Sequence, residues 1–290
     1  MNNLSHKSRI NNVLHYIHSD LNRNLSAKAL AAIANYSEQY FHRIFKEHVG
    51  ESVNQYIRKV RLEASANQLM FSPDRTIADI ATKCGFQSLS SFSHAFKQQF
   101  ATSPGKWREV QTQVNKPPYL LDKEIAAAYQ KLIDVTLPEV EFVQLAPRYV
   151  AYIRHTGYSR SIKQTWQILN AWAMSQGLLN NVQLGLHHSN PTSVSLDKCR
   201  YVACIEIDNP LTKTGLVNAM TIPGGLHAKF DFEGVYGELL PSISKVLEQW
   251  LPSTGLIAGT TPAFVLYQKN HFLCKDERYK LSFYLPVSFY

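Results

Sequence analysis

The chain has 290 residues, of which 45% are hydrophobic and 18% are charged, and its formal net charge is +8. That length favours two domains, and no run approaches the ~18 apolar residues of a membrane-spanning helix. We therefore exclude a membrane protein. Because the N-terminus also lacks the apolar core of a secretory signal, we expect the protein to be cytoplasmic.

The cysteines argue against a disulfide framework and against a structural metal. Cys84, Cys199, Cys204 and Cys274 include no Cys-x-x-Cys pair. We expect free, buried thiols in a reducing compartment. No cofactor motif and no metal-ligand spacing is present, so we expect neither a cofactor nor a metal.

The positive charge is concentrated in the first third of the chain. Residues 1–110 carry 14 Lys and Arg against 8 Asp and Glu, a net charge of +6, whereas residues 138–290 have a net charge of +2. Such an excess points to a polyanionic partner for the first third.

Within that third, one pattern of two short helices occurs twice. In the first copy, Ser26 can cap a helix and Asn35 stands where a tight turn favours left-handed backbone. A second helix then begins near Ser37 and buries the phenylalanines of FHRIFK (41–46). Two short helices joined by a tight turn predict a helix-turn-helix.

The second copy repeats this arrangement about 50 residues later. Thr76 and Asp79 have the spacing of a capping box, Gly85 replaces Asn35, and FSHAFK (92–97) replaces FHRIFK. The apolar spacing of SVNQYIRKVRLEASANQLM predicts one long helix between the copies. Two second helices held at a fixed separation can enter successive major-groove faces about one turn, ~34 Å, apart.

These stretches resemble the AraC/XylS family of transcription regulators. The resemblance covers residues 8–110 and rests on LAAIANYSEQYFHRIFKEHVGESVNQYIRKVRLEAS and on TIADIATKCGFQSLSSFSHAFKQQFATSPGKWRE. It implies sequence-specific binding of double-stranded DNA, contact with RNA polymerase and a role as activator. It further implies base contacts by Gln39, His42 and Arg43 in the first copy and by Ser90, Ser91 and His94 in the second. Phosphate contacts are expected from Ser37, Lys46, Ser88 and Lys97.

Prolines mark the end of this first domain. Pro117, Pro118 and Pro138 interrupt regular structure. We therefore predict a DNA-binding domain over 1–112, a linker over 113–137 and a second domain over 138–290.

The second domain is also a duplication. Residues 157–178 align with 234–256 at an offset of 78, which matches Tyr158 with Tyr236. Each half reads strand–helix–strand–strand. The expected fold class is therefore an all-α tandem helix-turn-helix domain followed by an α+β duplicated domain. Helices on one face of its sheet would leave the other face free, and the two halves would meet there in a concave groove.

This half resembles the GyrI-like effector-binding domain on the motifs RHTGY, IPGGLHAKFDFEGVYGELL, WLPSTG, PAFVLYQ and YLPV. The resemblance covers about 139–290 and implies a small-molecule effector, which aromatic side chains would make aromatic or hydrophobic. Many relatives carry an acidic residue where Val265 stands, which suits a cationic ligand. Glu206, Asp208, Asp231 or Glu233 could substitute for it. The candidate ligand-binding residues are Tyr152, His187, Glu206, Phe230, Val265, Tyr267 and Phe283.

Two alternatives stay open for the second domain. It could hydrolyse small electrophiles, using His155, the pair His187–His188 and Glu233, although no known nucleophile motif is present. It could instead only dock a partner, and the valine at 265 favours that alternative.

Overall fold

The computed structural model describes residues 3–72, 74–111, 118–178, 180–209, 211, 216–259 and 261–289. The chain divides into two compact units, one formed by 1–115 with 212–218 and one by 116–211 with 219–290. Residues 3–111 are helical where they are described, whereas the second unit combines an antiparallel sheet with helices. The predicted fold class is confirmed. Across the described residues, no helix is long and apolar enough to cross a membrane.

The first unit consists of two helix-turn-helix pairs on either side of a long helix. Its helices are α1 (Asn3–Ser19), α2 (Ala27–Ile33), α3 (Glu38–Val49), α4 (Val53–Phe71), α5 (Ile77–Lys83), α6 (Leu89–Phe100) and α7 (Pro104–Gln111). Helices α2 and α3 form the first pair, α5 and α6 form the second, and α4 connects them.

Side-chain hydroxyls fix where these helices begin. In α2 to α6, the residue before the helix accepts a hydrogen bond from the backbone amide three positions later, which satisfies a group that the helix itself leaves free. These capping residues are Ser26, Ser37, Ser52, Thr76 and Ser88.

Helix α4 supplies both hydrophobic cores of the first unit. Its first half packs with α1 to α3, where Tyr56 meets Phe45 with ring centroids 5.7 Å apart. Its second half packs with α5 and α6. In that core Trp107 meets Phe96, again at 5.7 Å. The two copies therefore repeat one aromatic contact, and the shared helix fixes their spacing.

The turn inside each pair needs left-handed backbone, and the two copies meet that need differently. Asn35 has a φ of 52°, and its counterpart Gly85 has a φ of 83°. A Cβ at 85 would lie 2.6 Å from the guanidinium Nε of Arg61 and 2.6 Å from the carbonyl oxygen of Leu21. Since Arg61 donates two hydrogen bonds to that carbonyl, neither neighbour can withdraw without loss.

The second unit is built on one long antiparallel sheet. Its strands are β1 (Glu141–Leu145), β2 (Arg148–Thr156), β3 (Gln183–His187), β4 (Arg200–Glu206), β5 (Asn218–Ile222), β6 (Gly225–Val235), β7 (Ile257–Ala258), β8 (Ala263–Lys269) and β9 (Arg278–Ser288). The strand order is β1-β6-β9-β8-β3-β4-β2-β5, and the short β7 pairs with β9. Its helices are α8 (Lys123–Leu132), α9 (Ile162–Ser175) and α10 (Leu239–Lys245), and α10 continues as a π-helical turn over Val246–Trp250.

The two halves of the duplication meet at the central strands. The first half is β2-α9-β3-β4 and the second is β6-α10-β8-β9. Leu186 of β3 stands directly opposite Phe264 of β8, and these two residues are counterparts at the offset of 78. A local two-fold axis therefore runs through the pairing of β3 with β8.

Helices α9 and α10 pack on one face of the sheet, which we call the helix face. Trp166 of α9 donates a hydrogen bond to the hydroxyl of Tyr201 (3.2 Å). On the other side of the axis, Trp250 packs edge-on against Phe230 with ring centroids 4.9 Å apart. Each half thus packs a tryptophan from its own helical segment against the sheet, Trp166 fully buried and Trp250 partly buried.

The opposite face of the sheet is filled by its own side chains. Its cluster includes Tyr152, Leu184, Cys204 and Phe264, all at most 1% exposed, and reaches Met220 on the edge strand β5. Side chains of β1, at the other edge, also pack against this cluster. The described side chains at the centre of this face are therefore part of an apolar core cluster.

The segment 113–137, expected to be a linker, contains a helix that belongs to the second unit. Asp122 caps α8 by accepting hydrogen bonds from the amides of Glu124 and Ile125. At its other end, the ammonium of Lys245 donates to the carbonyls of Leu132 (2.9 Å), Ile133 (3.0 Å) and Val135. The sequence did not reveal this docking because it depends on a lysine more than 100 residues away.

The left-handed turns give a stability prediction. We expect Gly85→Asn to destabilise the protein by about 1–3 kcal/mol, because the new Cβ would collide with Arg61 and Leu21. The reciprocal Asn35→Gly should change the free energy of unfolding by about 0.5 kcal/mol or less, since Asn35 is exposed. Urea unfolding of both variants checks this, and equal losses would contradict the proposed clash.

Candidate functional site

Helix α3 presents a polar surface opposite its buried phenylalanines. Gln39, Arg43 and Lys46 are exposed and His42 is partly exposed. The guanidinium of Arg43 lies 4.8 Å from the ring centre of Tyr40, which holds its long side chain against the helix. Ser37 caps the helix N-terminus, where free amides favour an anion such as phosphate.

Helix α6 presents the equivalent surface with shorter side chains. Ser90, Ser91, His94 and Lys97 are all exposed. The hydroxyl of Ser91 donates to the carbonyl of Ser88 (2.9 Å), so part of its hydrogen-bonding capacity is used within the cap.

Two residues that the sequence analysis missed, Gln98 of α6 and Arg58 of α4, also belong to this surface. Gln98 lies 3.1 Å from His94 and accepts a hydrogen bond from Arg58 of α4 (2.7 Å). The helical spacing of His94 and Gln98 was the available signal. The carboxamide and guanidinium add donors next to an otherwise short surface.

The second unit contains a partly open cavity on the helix face, which we call the histidine cavity. It lies where the starts of α9 and α10 meet strands β3, β4 and β8, and its volume is about 40 Å³. Its lining is mostly aromatic and aliphatic: Ile125, Tyr158, Ser159, Ile162, His187, Tyr201, Tyr236, Gly237, Leu239, Leu240, Tyr267, His271 and Phe272.

Most polar atoms around the histidine cavity are paired, which fixes the rings. The hydroxyls of Tyr201 and Tyr267 are hydrogen bonded at 3.2 Å, and Tyr201 also accepts from Trp166. Tyr158 donates to the carbonyl of Ser189 at 2.9 Å. The walls are therefore held in place by hydrogen bonds as well as by packing.

Two histidines are the exception. Nε2 of His187 and Nδ1 of His271 are buried, and neither has a hydrogen-bond partner among the described residues. Burial lowers the pKa of each imidazole to about 4, so both are neutral at physiological pH. Unpaired buried polar atoms are costly, and such atoms in a cavity commonly mark a place for a ligand or water.

Helix α8 forms one wall of the histidine cavity. Ile125 is part of the lining, and the neighbouring Glu124 accepts two hydrogen bonds from Arg160 (2.6 and 2.8 Å). Arg160 also donates two to Glu277 and covers the ring of Tyr236 at 4.0 Å. We call Arg160, Glu124 and Glu277 the arginine clasp. It fastens α8 to the rim of the cavity, and with α8 the segment 118–137, which we call the connecting segment.

The seven predicted ligand-binding residues do not share one surface. His187 and Tyr267 line the histidine cavity. Phe230, Val265 and Phe283 also lie on the helix face, but they are at most 1% exposed and belong to the core. Tyr152 and Glu206 lie on the opposite face. Alternation along the strands separates them, which corrects the expectation of a single groove.

None of the four carboxylates considered as substitutes at position 265 lines the histidine cavity. Glu206 pairs with Arg148 (2.8 Å) and Asp231 pairs with Lys229 (3.4 Å). Asp208 and Glu233 are exposed. The cavity lining contains no Asp or Glu among the described residues.

The residues considered for hydrolysis are likewise dispersed. His155 is hydrogen bonded to Ser161 and Thr165, both at 2.9 Å, through its two ring nitrogens. Glu233 lies on the face opposite the helices, and His187 lies in the histidine cavity. These three groups do not converge on one position.

The sequence analysis missed several cavity residues although the repeat contained the signal. Tyr158 and Tyr236 are counterparts at the offset of 78, and both line the cavity. A tyrosine repeated at the start of both helices faces the axis where the halves meet. His271 had no such signal, because its counterpart in the first half is Ser193.

Comparison with known proteins gives two family matches. The model of the GyrI-like small molecule binding domain matches residues 138–288, and the model of a helix-turn-helix domain matches residues 30–109. Among solved structures, the EcmrR C-terminal domain is similar, with a TM-score of 0.44 and 13% identity, over 53% of this chain and 100% of that chain.

Two curated relatives are similar in sequence. The Right origin-binding protein of Escherichia coli K12 is 26% identical over 283 residues, which cover 87% of this chain and 93% of that protein. The probable transcription factor PqrA of Proteus vulgaris is 37% identical over 102 residues, which cover 34% of this chain and 83% of that protein.

The arginine clasp gives a prediction that needs no ligand. We expect Arg160→Ala to speed amide hydrogen exchange in α8, because the helix loses the two hydrogen bonds that Glu124 accepts and, with them, its connection through Arg160 to Glu277. The matched control is Lys269→Ala, which breaks the exposed pair with Asp276 (2.6 Å) and should leave α8 unchanged. Equal exchange of α8 in wild type and Arg160→Ala would contradict the clasp.

The same contact has a defined pH dependence. Hydrogen bonds from Arg160 lower the pKa of Glu124 and of Glu277 below the ordinary value. The clasp is therefore complete above the ordinary carboxyl range and is lost as the pH falls through the lowered pKa values. Exchange of α8 should accelerate only in that acidic range.

Proposed function

The chain belongs to the GyrI-like family and carries an AraC-type DNA-binding domain, and from this premise we propose that a small molecule in the histidine cavity controls its affinity for DNA. It is a DNA-binding transcription regulator joined to a small-molecule binding domain. The observation that carries the proposal is the cavity itself, with two unpartnered histidine nitrogens and a wall supplied by the connecting segment.

The size of the cavity supports a coupling between ligand and connecting segment. A benzene-sized ligand needs a cavity on the order of 150 Å³, whereas the histidine cavity has about 40 Å³. Binding must therefore displace part of the lining. At the rim of the cavity, the N-terminal end of α8 is held by exposed ion pairs, which are weaker than the packing of the sheet, while Lys245 holds its other end.

Displacing α8 would act on the segment that leads to the DNA-binding domain. A ligand shifts an equilibrium only if it binds the two states with different affinity. Here the two states are α8 fastened and α8 released, and only the released state has room for a ring. Ligand binding and release of α8 are then linked.

For the DNA-binding domain we propose base contacts by Gln39, His42 and Arg43 of α3, which are the longer side chains. Ser90, Ser91 and His94 of α6 are proposed as weaker readers, because their side chains are short or already hydrogen bonded. Ser37, Lys46, Ser88 and Lys97 are the proposed phosphate contacts.

Two further proposals rest on the family resemblance alone. We propose that the protein activates transcription and that it does so through contact with RNA polymerase. PqrA, similar over 34% of this chain, is named as a probable transcription factor, and we propose no enzymatic activity for the second unit.

One pair of substitutions separates base reading from phosphate binding. Arg43→Ala should cost about 1–3 kcal/mol at the cognate site and relax sequence preference at one position. Lys46→Ala should weaken binding to all DNA and flatten its salt dependence. Fluorescence anisotropy on specific and random duplexes measures both. Equal losses on the two duplexes for Arg43→Ala would remove it from the base-reading set.

The ligand cavity is tested by blocking it. Leu240 is 9% exposed and lines the cavity, so Leu240→Trp should fill it. We expect compounds from a panel of aromatic acids, amides and amines to change the DNA affinity of the wild type but not of Leu240→Trp. The control Ile168→Trp, on the exposed side of α9 at 39% exposure, should respond as the wild type does. A response that survives Leu240→Trp would place the ligand elsewhere.

A further inference from the structure

The lining of the histidine cavity offers bases but no acid to a ligand. Among its described residues there is no Asp, Glu, Lys or Arg, and His187 and His271 carry its two unpartnered nitrogens. A cation bound there would find no countercharge, and an unpaired buried charge is costly. Aromatic faces attract cations and a neutral imidazole nitrogen can accept a hydrogen bond from an ammonium group, but neither contact supplies the missing negative charge.

Two carboxylates at the rim of the cavity are already committed. Glu277 acts electrostatically on His271, but its two oxygens accept hydrogen bonds from Arg160. Glu124 on α8 is bound by the same guanidinium. A cationic ligand would therefore have to displace Arg160 to gain a partner.

The side chains of the cavity can gain a positive charge more easily than a negative one. His187 and His271 are neutral and can each take up a proton. The tyrosines cannot supply a negative charge at physiological pH, because burial raises the pKa of Tyr236 to about 12 and those of Tyr201 and Tyr267 higher still. The cavity can thus become positive for an anion but cannot become negative for a cation.

The groups facing the two imidazoles do not alter this balance. Tyr158, Tyr201 and His271 face His187, from the loop before α9, from β4 and from the loop after β8. Around His271 stand Tyr236, Tyr267, Tyr279 and Glu277. Glu277 is the charged group among them, and it shares the guanidinium of Arg160 with Glu124; the others are uncharged at neutral pH.

We propose that the effector of this protein is a small aromatic carboxylic acid, which His187 and His271 bind together with one proton. This inference rests on the proposed function, because it assigns a chemical class to the ligand of the same cavity. The aromatic ring of the ligand packs against the apolar side chains of the lining. Its carboxylate forms hydrogen bonds with the two unpartnered imidazole nitrogens.

The proton balance of binding is defined. In solution near neutral pH the acid is an anion and both imidazoles are neutral. When the carboxylate enters, one proton moves from solvent to an imidazole nitrogen, and the bound pair is neutral overall. The binding constant should therefore fall by up to about tenfold for each unit of rising pH.

Three probes with one ring test the class on the full chain: benzoate, benzamide and benzylamine. Ligand-observed NMR at pH 5.5 and 7.5 should show that benzoate binds, and more tightly at pH 5.5. Benzylamine should bind more weakly than benzoate at both pH values. Calorimetry of benzoate in two buffers of different ionisation enthalpy should show uptake of about one proton. This measurement uses the wild type and requires no variant to fold.

Variants then locate the proton. His187→Gln and His271→Gln keep a hydrogen-bonding side chain but cannot titrate, and at least one should lose most of the pH dependence. The control His227→Gln removes a histidine on the opposite face, which bonds to the carbonyl of Gly225 (2.9 Å), and should keep it. Thermal unfolding of each variant confirms that it is folded.

Each other outcome overturns the proposal. The proposal is wrong if benzylamine binds more tightly than benzoate or if benzoate binds independently of pH. It is also wrong if none of the probes binds, or if benzoate still binds to Leu240→Trp. Failure of the proposed function is distinct. If benzylamine binds, changes DNA affinity and is blocked by Leu240→Trp, the cavity is the effector site and only its assignment to an acid is wrong.

Discussion

The antiparallel pairing of β3 with β8 is the contact on which the second unit depends. It joins two similar halves along their central strands, with Leu186 opposite its counterpart Phe264. Because the halves are related by a local axis there, the starts of α9 and α10 converge on the same face. The space between them is bounded by repeated tyrosines and closed by residues that differ between the halves. The cavity is thus a product of the duplication, and its chemistry comes from where the duplication is imperfect.

The first unit also joins two similar halves, but through a shared helix. Its two helix-turn-helix pairs do not contact through a common strand but share α4, each half of which completes one core. The shared helix sets the spacing of α3 and α6, the two helices that we propose to read DNA. Small differences again separate the copies, such as Asn35 against Gly85 and Arg43 against His94.

Much of this architecture could be predicted from the sequence, because it follows from short-range patterns. Capping residues, the phenylalanine repeat and the offset of 78 located both helix-turn-helix pairs and both strand–helix–strand–strand halves. The candidate site was less accessible. Phe230 and Val265 are apolar residues of a kind that often lines ligand sites. Whether they do so depends on which face of the sheet they occupy, and strand alternation and helix packing decide that. Arg160, Glu124 and Glu277 are far apart in sequence, and no local pattern brings them together.

The docking of α8 has a consequence for how such domains are dissected. The region matched by the GyrI-like model begins at residue 138, whereas one wall of the cavity comes from α8, at 123–132. A fragment cut at that boundary would lack the wall, and its ligand would bind without the work of releasing the helix. Its affinity should then exceed that of the intact chain. The difference between the two binding free energies is the free energy spent on releasing α8. It is therefore the upper limit of the coupling free energy between ligand binding and DNA binding.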